Sequence, residues 1–165
     1  MNFYKITSQD EKHYGMQYKT GLNTDVLPFN PRGDCEKGGI YFSREDILAF
    51  LDYGPWIRKV TLPENEGIYE NPGMPKKWKS HCVILGKRKK ITARIIQKLI
   101  AARANVHAND DWALRWASGN GYSEVVKVLL SEGANVHAGN NRALRWASEN
   151  GHSKVVKILK RAMKK

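Results

Sequence analysis

The sequence predicts an α+β chain in two parts: a small mixed domain over residues 1–88, and a helical stack of repeated helix pairs over 89–165. Three observations predict this. In the second part whole phrases return at an offset of 30 residues. Runs of β-branched and aromatic residues with strand character are confined to the first part. The charge reverses between the two: residues 1–75 carry 8 Lys+Arg against 11 Asp+Glu, net −3, and residues 76–165 carry 20 against 5, net +15. Such asymmetry marks two modules and predicts an anionic partner for the second, or else charges that only solubilise a small repeat module.

In the first part, Phe3-Tyr4-Lys5-Ile6-Thr7 alternates and is rich in β formers, which predicts an opening strand. Residues 13–38 are punctuated by Gly, Asn and Pro and predict little periodic structure. Residues 39–42 read as a buried strand. Ser43 follows as a helix N-cap with Asp46 three residues on, opening a helix over 44–53 whose apolar face is Ile47, Leu48, Phe50 and Leu51. Residues 56–62 form a strand closed by Pro63, residues 64–75 an acidic loop, and residues 82–85 a last strand. Gly86-Lys87-Arg88-Lys89-Lys90 is the boundary.

In the second part, Ala104-Asn105-Val106-His107-Ala108 returns as Ala134-Asn135-Val136-His137-Ala138. Ala113-Leu114-Arg115-Trp116-Ala117-Ser118 returns as Ala143-Leu144-Arg145-Trp146-Ala147-Ser148. Residues 95–100 match 125–130, so the array is a half repeat (91–106) and two repeats (107–136 and 137–165). Each repeat reads as two short helices, about 112–119 and 124–132 in the first. Asn120-Gly121 breaks them, Ser123 stands at the N-cap of the second with Glu124 in its first turn, and Gly133 ends it. One such unit cannot bury its apolar face alone, so the repeats must stack. Two and a half repeats are few, and the first part is expected to cap the half-repeat helix.

The phrase from Leu114 to Tyr122 lies over L-H-x-A-A-x-x-G-H, and that from Val125 to Val136 over V-V-x-x-L-L-x-x-G-A-D/N-V. Both patterns resemble ankyrin repeats. With A-L-R-W-A-S-E-N-G-H at 143–152, the array resembles the ankyrin proteins of giant amoeba viruses. Gly15-Met16-Gln17-Tyr18 and Cys35-Glu36-Lys37-Gly38-Gly39-Ile40-Tyr41-Phe42 are similar to the small N-terminal domain of those proteins. The sequence departs from the family in two ways. Trp112-Ala113 and Arg142-Ala143 replace the usual Thr-Pro, and the period of 30 is shorter than the family's roughly 33. The loss falls in the connecting hairpin, reduced to Gly139-Asn140-Asn141.

The resemblance implies a non-catalytic protein-binding module or adaptor. Its expected contacts are the helix edge and turn residues Asn109, Asp111, Gly119, Asn120, Asn141, Glu149 and Asn150. Trp116 and Trp146 read as packing between repeats, or else as an exposed platform. Arg115 and Arg145 read as partners for loop carbonyls, or else as a basic ridge. The last helix keeps Val155, Val156, Leu159 and Met163 inward and its cations outward. The alternative function is binding of nucleic acid or another polyanion by Arg115, Arg142, Arg145, Lys154, Lys157, Lys160 and Arg161.

A remoter alternative is enzymatic. His13-Tyr14-Gly15 and Gly38-Gly39-Ile40-Tyr41-Phe42 are similar to motifs of His-Tyr-Glu ADP-ribosyltransferases, which implies NAD-holding roles for His13 and Tyr41; the nearest third residue, Glu70, lies in the expected acidic loop. His13, Cys35, His81 and Cys82 are zinc-ligand types without zinc-site spacing. The expectation is therefore no enzyme, no metal and no cofactor. Two cysteines exclude a disulfide scaffold, no apolar run reaches about 18 residues, and the start carries no signal-type apolar segment, so an intracellular place (host cytoplasm or virion) without membrane contact is expected.

Overall fold

The computed structural model describes residues 2–32 and 36–164. Cys35, invoked above as a zinc-ligand type and within the N-terminal motif, lies outside the described residues. The chain divides into a first unit, Met1–Ile47 with Tyr53–Ile91, and a second, Leu48–Asp52 with Thr92–Lys165.

The first unit is β-rich. Its strands are β1 (Phe3–Thr7), β2 (Lys12–His13), β3 (Met16–Gln17), β4 (Gly21–Thr24), β5 (Ile40–Phe42), β6 (Trp56–Thr61), β7 (Tyr69–Asn71), β8 (Lys77–Ser80), β9 (Cys82–Leu85) and β10 (Lys89–Lys90). Every pair among them is antiparallel. One sheet runs β1-β6-β9-β4, with β10 also on β6; a second runs β5-β8-β7; β2 and β3 form a hairpin. The core comprises Met16, Tyr18, Ile40, Phe42, Val60, Trp78, Val83 and Leu85, with Phe3 edge-on to Phe42 (4.9 Å) and Trp78 (5.4 Å).

Strands β4, β7 and β8 fall where the sequence predicts none, as do the two-residue strands β2, β3 and β10. In β8 the residues Trp78, Lys79 and Ser80 are all buried, although Lys-Trp-Lys-Ser reads as half solvated. Lys79 is accommodated because its ammonium donates to Arg32 O (2.9 Å) and lies over the rings of Tyr41 and Tyr69. In β4, Asn23 replaces backbone partners, donating to Lys19 O and Gly21 O (both 2.8 Å). The acidic stretch 64–75 contains β7, and Glu66 closes the β8–β9 turn. One Glu66 oxygen accepts from Ser80 Oγ (2.6 Å) and from the His81 and Cys82 amides (3.1 Å each), and the Ser80 bond holds its carboxyl below the usual range.

The segment Glu45–Tyr53 is a 3-10 helix, not an α-helix. Ser43 does not cap it, and Asp46 is used elsewhere: Ser43 Oγ donates to Lys76 O (2.7 Å) and Asp46 Oδ2 accepts the Lys76 amide (2.8 Å). The polar pair fastens the start of this helix to the strand region near Lys76. A buried ion pair holds the main sheet to the β2–β3 hairpin. Arg58 on β6 meets both oxygens of Glu11 (2.7 and 2.8 Å), and Thr7 Oγ1 donates to the same carboxylate (2.8 Å).

The second unit contains α1 (Ala93–Ala101), α2 (Ala108–Gly119), α3 (Ser123–Ser131), α4 (Ala138–Glu149) and α5 (Ser153–Ala162). The helices pack as two rows. The front row is α2 against α4, and the back row is α1, α3 and α5 in order, with α3 behind α2 and α5 behind α4. Thr92 caps α1 by accepting the Ile95 amide (3.3 Å). Ser123 does not cap α3: its residue is already helical and its hydroxyl turns to Glu124. Leu114, Ala117, Val126, Leu129, Ala147 and Leu159 are completely buried between the rows.

The shortened hairpin has a definite geometry. Asn109, Asp110 and Asp111 all sit in the left-handed region (φ 54°, 54° and 53°), and so do Gly139, Asn140 and Asn141 (φ 57°, 56° and 59°). Asn, Asp and Gly are the residues that enter this region at least cost. Three consecutive left-handed residues reverse the chain, so that regular α2 starts at Trp112 and regular α4 at Arg142.

Candidate protein-binding surface

The front row is joined by contacts that recur with the sequence period. His107 and His137 precede the two left-handed turns. His107 Nδ1 meets Asp111 Oδ1 at 3.1 Å, and His137 Nδ1 meets Asn141 Oδ1 at 2.7 Å. A carboxylate or amide oxygen can only accept, so both imidazoles donate from Nδ1. Asp111 does more than its counterpart. It is 4% exposed, and its Oδ1 also accepts the amide of Asn135 in the connection to the next repeat (2.9 Å). Asn141 is exposed. Of the expected contact residues, Asp111 is therefore turned inward and joins one repeat to the next.

Gly119 is also used inside the stack. Its carbonyl accepts from Asn150 Nδ2 (2.7 Å) and His152 Nε2 (3.0 Å), and a methyl group on its Cα would meet Trp146 at 3.4 Å. Glu149 stands at the equivalent position of the second repeat and is exposed. The remaining expected residues, Asn109, Asn120, Asn141, Glu149 and Asn150, are all exposed and lie at the two ends of the front-row helices.

The tryptophans both pack and remain half exposed. Trp146 lies on Gly119 and edge-on to Trp112 (5.9 Å), while Trp116 packs on Tyr122 (5.2 Å). Trp112 Nε1 donates to Asp52 Oδ1 (3.3 Å), a residue grouped with the same unit. Two arginines stack on these rings: Arg115 over Trp112 (5.1 Å) and Arg142 over Trp146 (5.5 Å). The result is a contiguous band Arg115–Trp112–Trp146–Arg142 across the front row. Trp112 takes part in this band although its counterpart in the next repeat is Arg142 and not another Trp.

The seven expected basic-patch residues do not form one patch. Arg115 is buried and donates to Asn109 O (2.6 Å), as expected of a partner for a loop carbonyl, and a methyl group on Gly139 of the following repeat would meet it at 3.4 Å. Arg145, in the last repeat, is exposed. Arg142 and Arg145 belong to the front row, while Lys154, Lys157, Lys160 and Arg161 are exposed on α5 in the back row.

His13 and Tyr41, matched above to an NAD-binding motif, lie in β2 and β5. Burial, with a smaller contribution from Lys5, lowers the basicity of His13, and Tyr41 donates to Glu36 O (3.2 Å). Glu70 is in β7, not in a loop, and faces Lys76 (3.8 Å). Among the described residues no three or more His, Cys, Asp or Glu side chains gather as a metal site, and no helix is long and apolar enough to cross a membrane.

A family model for ankyrin repeats, in three copies, matches residues 87–164. An ankyrin-repeat protein of Acanthamoeba polyphaga mimivirus is 39% identical over 140 residues, covering 76% of this chain and 46% of the relative. A second from the same virus is 32% identical over 131 residues, covering 76% and 64%. An uncharacterized protein of that virus is 35% identical over 129 residues, covering 75% of this chain and 94% of its own length. The chain thus spans 46% and 64% of the two ankyrin-repeat relatives. No solved structure matches it. The helix pairs, their left-handed turns and these relationships agree: the chain is a short ankyrin-repeat protein related to several ankyrin-repeat proteins of mimivirus.

Proposed function

We propose that the chain is a non-catalytic protein-interaction module, acting in the host cell or the virus particle, that holds a protein partner on its front row. The observation that supports this reading most is the band of half-exposed Trp112 and Trp146 with Arg142 stacked on it, flanked by the exposed Asn109, Asn120, Asn141, Glu149 and Asn150. Trp and Arg dominate the residues that carry binding energy at protein interfaces. Here they are held by packing before any partner arrives, so little ordering cost remains to be met on association. The neighbouring Asn and Glu side chains supply a polar rim.

The test is capture of partners by the tagged full chain from nuclease-treated amoeba lysate, washed at moderate salt. The double variant Arg142→Ala, Arg145→Ala is the comparison, since Arg145 is exposed and Arg142 is half exposed where it stacks on the Trp146 ring. The expected result is a defined protein retained by the native chain and depleted at least about tenfold by the variant, the range of a hot-spot arginine. Equal retention by both chains would refute a front-row interface.

A further inference from the structure

The two repeats differ most in charge on a face that the front row does not use. At 30-residue offsets α3 and α5 are homologous, and their apolar positions agree: Val125 and Val155, Val126 and Val156, Leu129 and Leu159. Their solvent positions do not. Glu124 becomes Lys154, Leu130 becomes Lys160 and Ser131 becomes Arg161, while Lys127 is kept as Lys157. The charged side chains of α3 are Glu124 and Lys127, which balance and pair at 3.0 Å; those of α5 are Lys154, Lys157, Lys160 and Arg161, with no acid among them. All four are exposed.

This arrangement works against the helix. Lys154 with Lys157, Lys157 with Lys160, and Lys157 with Arg161 are like charges three or four residues apart, which destabilises an isolated helix. Lys154 also sits at the positive end of the helix dipole. Some of the cost is offset, since Lys154 reaches Glu124 of the preceding repeat (3.5 Å) and Lys160 and Arg161 lie at the favourable end of the dipole. Solubility alone is served by interspersed charges of both signs, as α3 carries. A single-signed face built on the same apolar frame is made favourable by a ligand of opposite sign.

We propose that the back row, centred on α5, is a second docking surface, and that its ligand is the phosphodiester backbone of duplex nucleic acid. A protein partner is disfavoured by the composition of the face. Interface cores are depleted in Lys and are anchored by aromatic or apolar groups, and the solvent face of α5 offers Lys and Arg with no exposed large apolar side chain. Phosphate contacts need no such anchor. They require flexible cations at intervals along a rigid support, and they bind without sequence register. The back row extends the support, since Lys127 on α3 and Arg94 and Lys98 on α1 are exposed in the same row. The proposal concerns a different face from the front-row interface and stands whether or not that interface exists.

The experiment is fluorescence anisotropy of the full chain with a labelled 24-base-pair DNA duplex of arbitrary sequence, at 50 and 200 mM salt. Four phosphate contacts give a salt slope of about −3.6, a loss of affinity of roughly 150-fold between the two salt concentrations. The triple variant Lys157→Gln, Lys160→Gln, Arg161→Gln, with an unchanged circular dichroism spectrum, is expected to reduce the slope to about −0.9 and to lose most of the affinity at 50 mM. The front-row variant Arg142→Ala, Arg145→Ala is expected to keep both. No binding at 50 mM overturns the proposal, as does a triple variant that binds like the native chain. A labelled poly-glutamate peptide that binds where the duplex does not would assign the face to an acidic protein instead.

Discussion

Asp111 and Asn141 occupy the same place in two repeats, and one side chain does structural work that the other does not. Asp111→Ala removes two hydrogen bonds to a carboxylate that is 4% exposed, from the Asn135 amide (2.9 Å) and from His107 (3.1 Å). Hydrogen bonds to a charged group contribute about 1.5–3 kcal/mol, and the amide left behind lies between repeats. We expect a total loss of about 2–3 kcal/mol, the two bonds sharing one acceptor atom. Asp111→Asn keeps an acceptor but not the charge and is expected to lose about 1 kcal/mol. Asn141→Ala breaks one exposed bond to His137 and is expected to cost less than about 0.5 kcal/mol. Urea unfolding followed by tryptophan fluorescence measures all three, since Trp112, Trp116 and Trp146 report on the stack. Equal midpoints for Asp111→Ala and Asn141→Ala would refute the assignment of Asp111 as the link between repeats.

Two further outcomes follow from the structure. Gly121 and Gly151 share φ 74°, but a methyl group on Gly121 would meet the His152 ring at 2.7 Å and one on Gly151 would meet nothing within 4 Å. Both alanine variants carry the left-handed penalty of about 1 kcal/mol, and Gly121→Ala adds the displacement of His152 from Gly119 O. In urea, Gly121→Ala is expected to unfold clearly earlier than Gly151→Ala, and coincident curves would count against it. In the first unit, burial lowers the Lys5 pKa from 10.5 to about 8, opposed by Asp25, and its ammonium donates to Tyr41 O (2.8 Å). The unfolded chain therefore binds the extra proton between about pH 8 and 10.5, and stability rises with pH across that window. The contribution is about 3 kcal/mol in full. Burial raises the Tyr18 pKa, so its contribution is lost above about pH 10; the useful range ends before that. Unfolding measured from pH 7.5 to 9.5 is expected to show a rise that Lys5→Met reduces, while Lys79, also lowered by burial, retains the rest. An unchanged slope in the variant would contradict the assignment.

The helical part was legible because repetition names its own equivalents. The offset of 30 gave the positions of α2 to α5, and the three-residue hairpins appear as three left-handed residues each. Their place in the stack was not legible. Asp111 and Asn141 read alike, and burial separates them only because the segment at Asn135 closes over the first. The same holds for Arg115 and Arg145. In the first unit β1, β6 and β9 declare themselves by β-branched and aromatic residues. β8 does not, because a buried lysine satisfied by a carbonyl and two aromatic rings is invisible to hydropathy. Ser43 and Asp46 have the spacing of a capping pair and instead clasp Lys76, a partner 30 or more residues away. The half-exposed band at Trp112 was hidden for a related reason: its two rings come from different repeats at non-equivalent positions.

The substitution of Gly119 by Glu149 bears on how such a protein can grow. Gene duplication copies a segment verbatim, and a verbatim copy of residues 137–165 placed after the original would bring a tryptophan onto Glu149, where residues 107–136 offer Gly119. The second repeat is thus a poor template for its own successor. Copies of 107–136 inserted between the two repeats meet their own docking chemistry on both sides. Lengthening the array, by evolution or by design, is easiest between these two repeats.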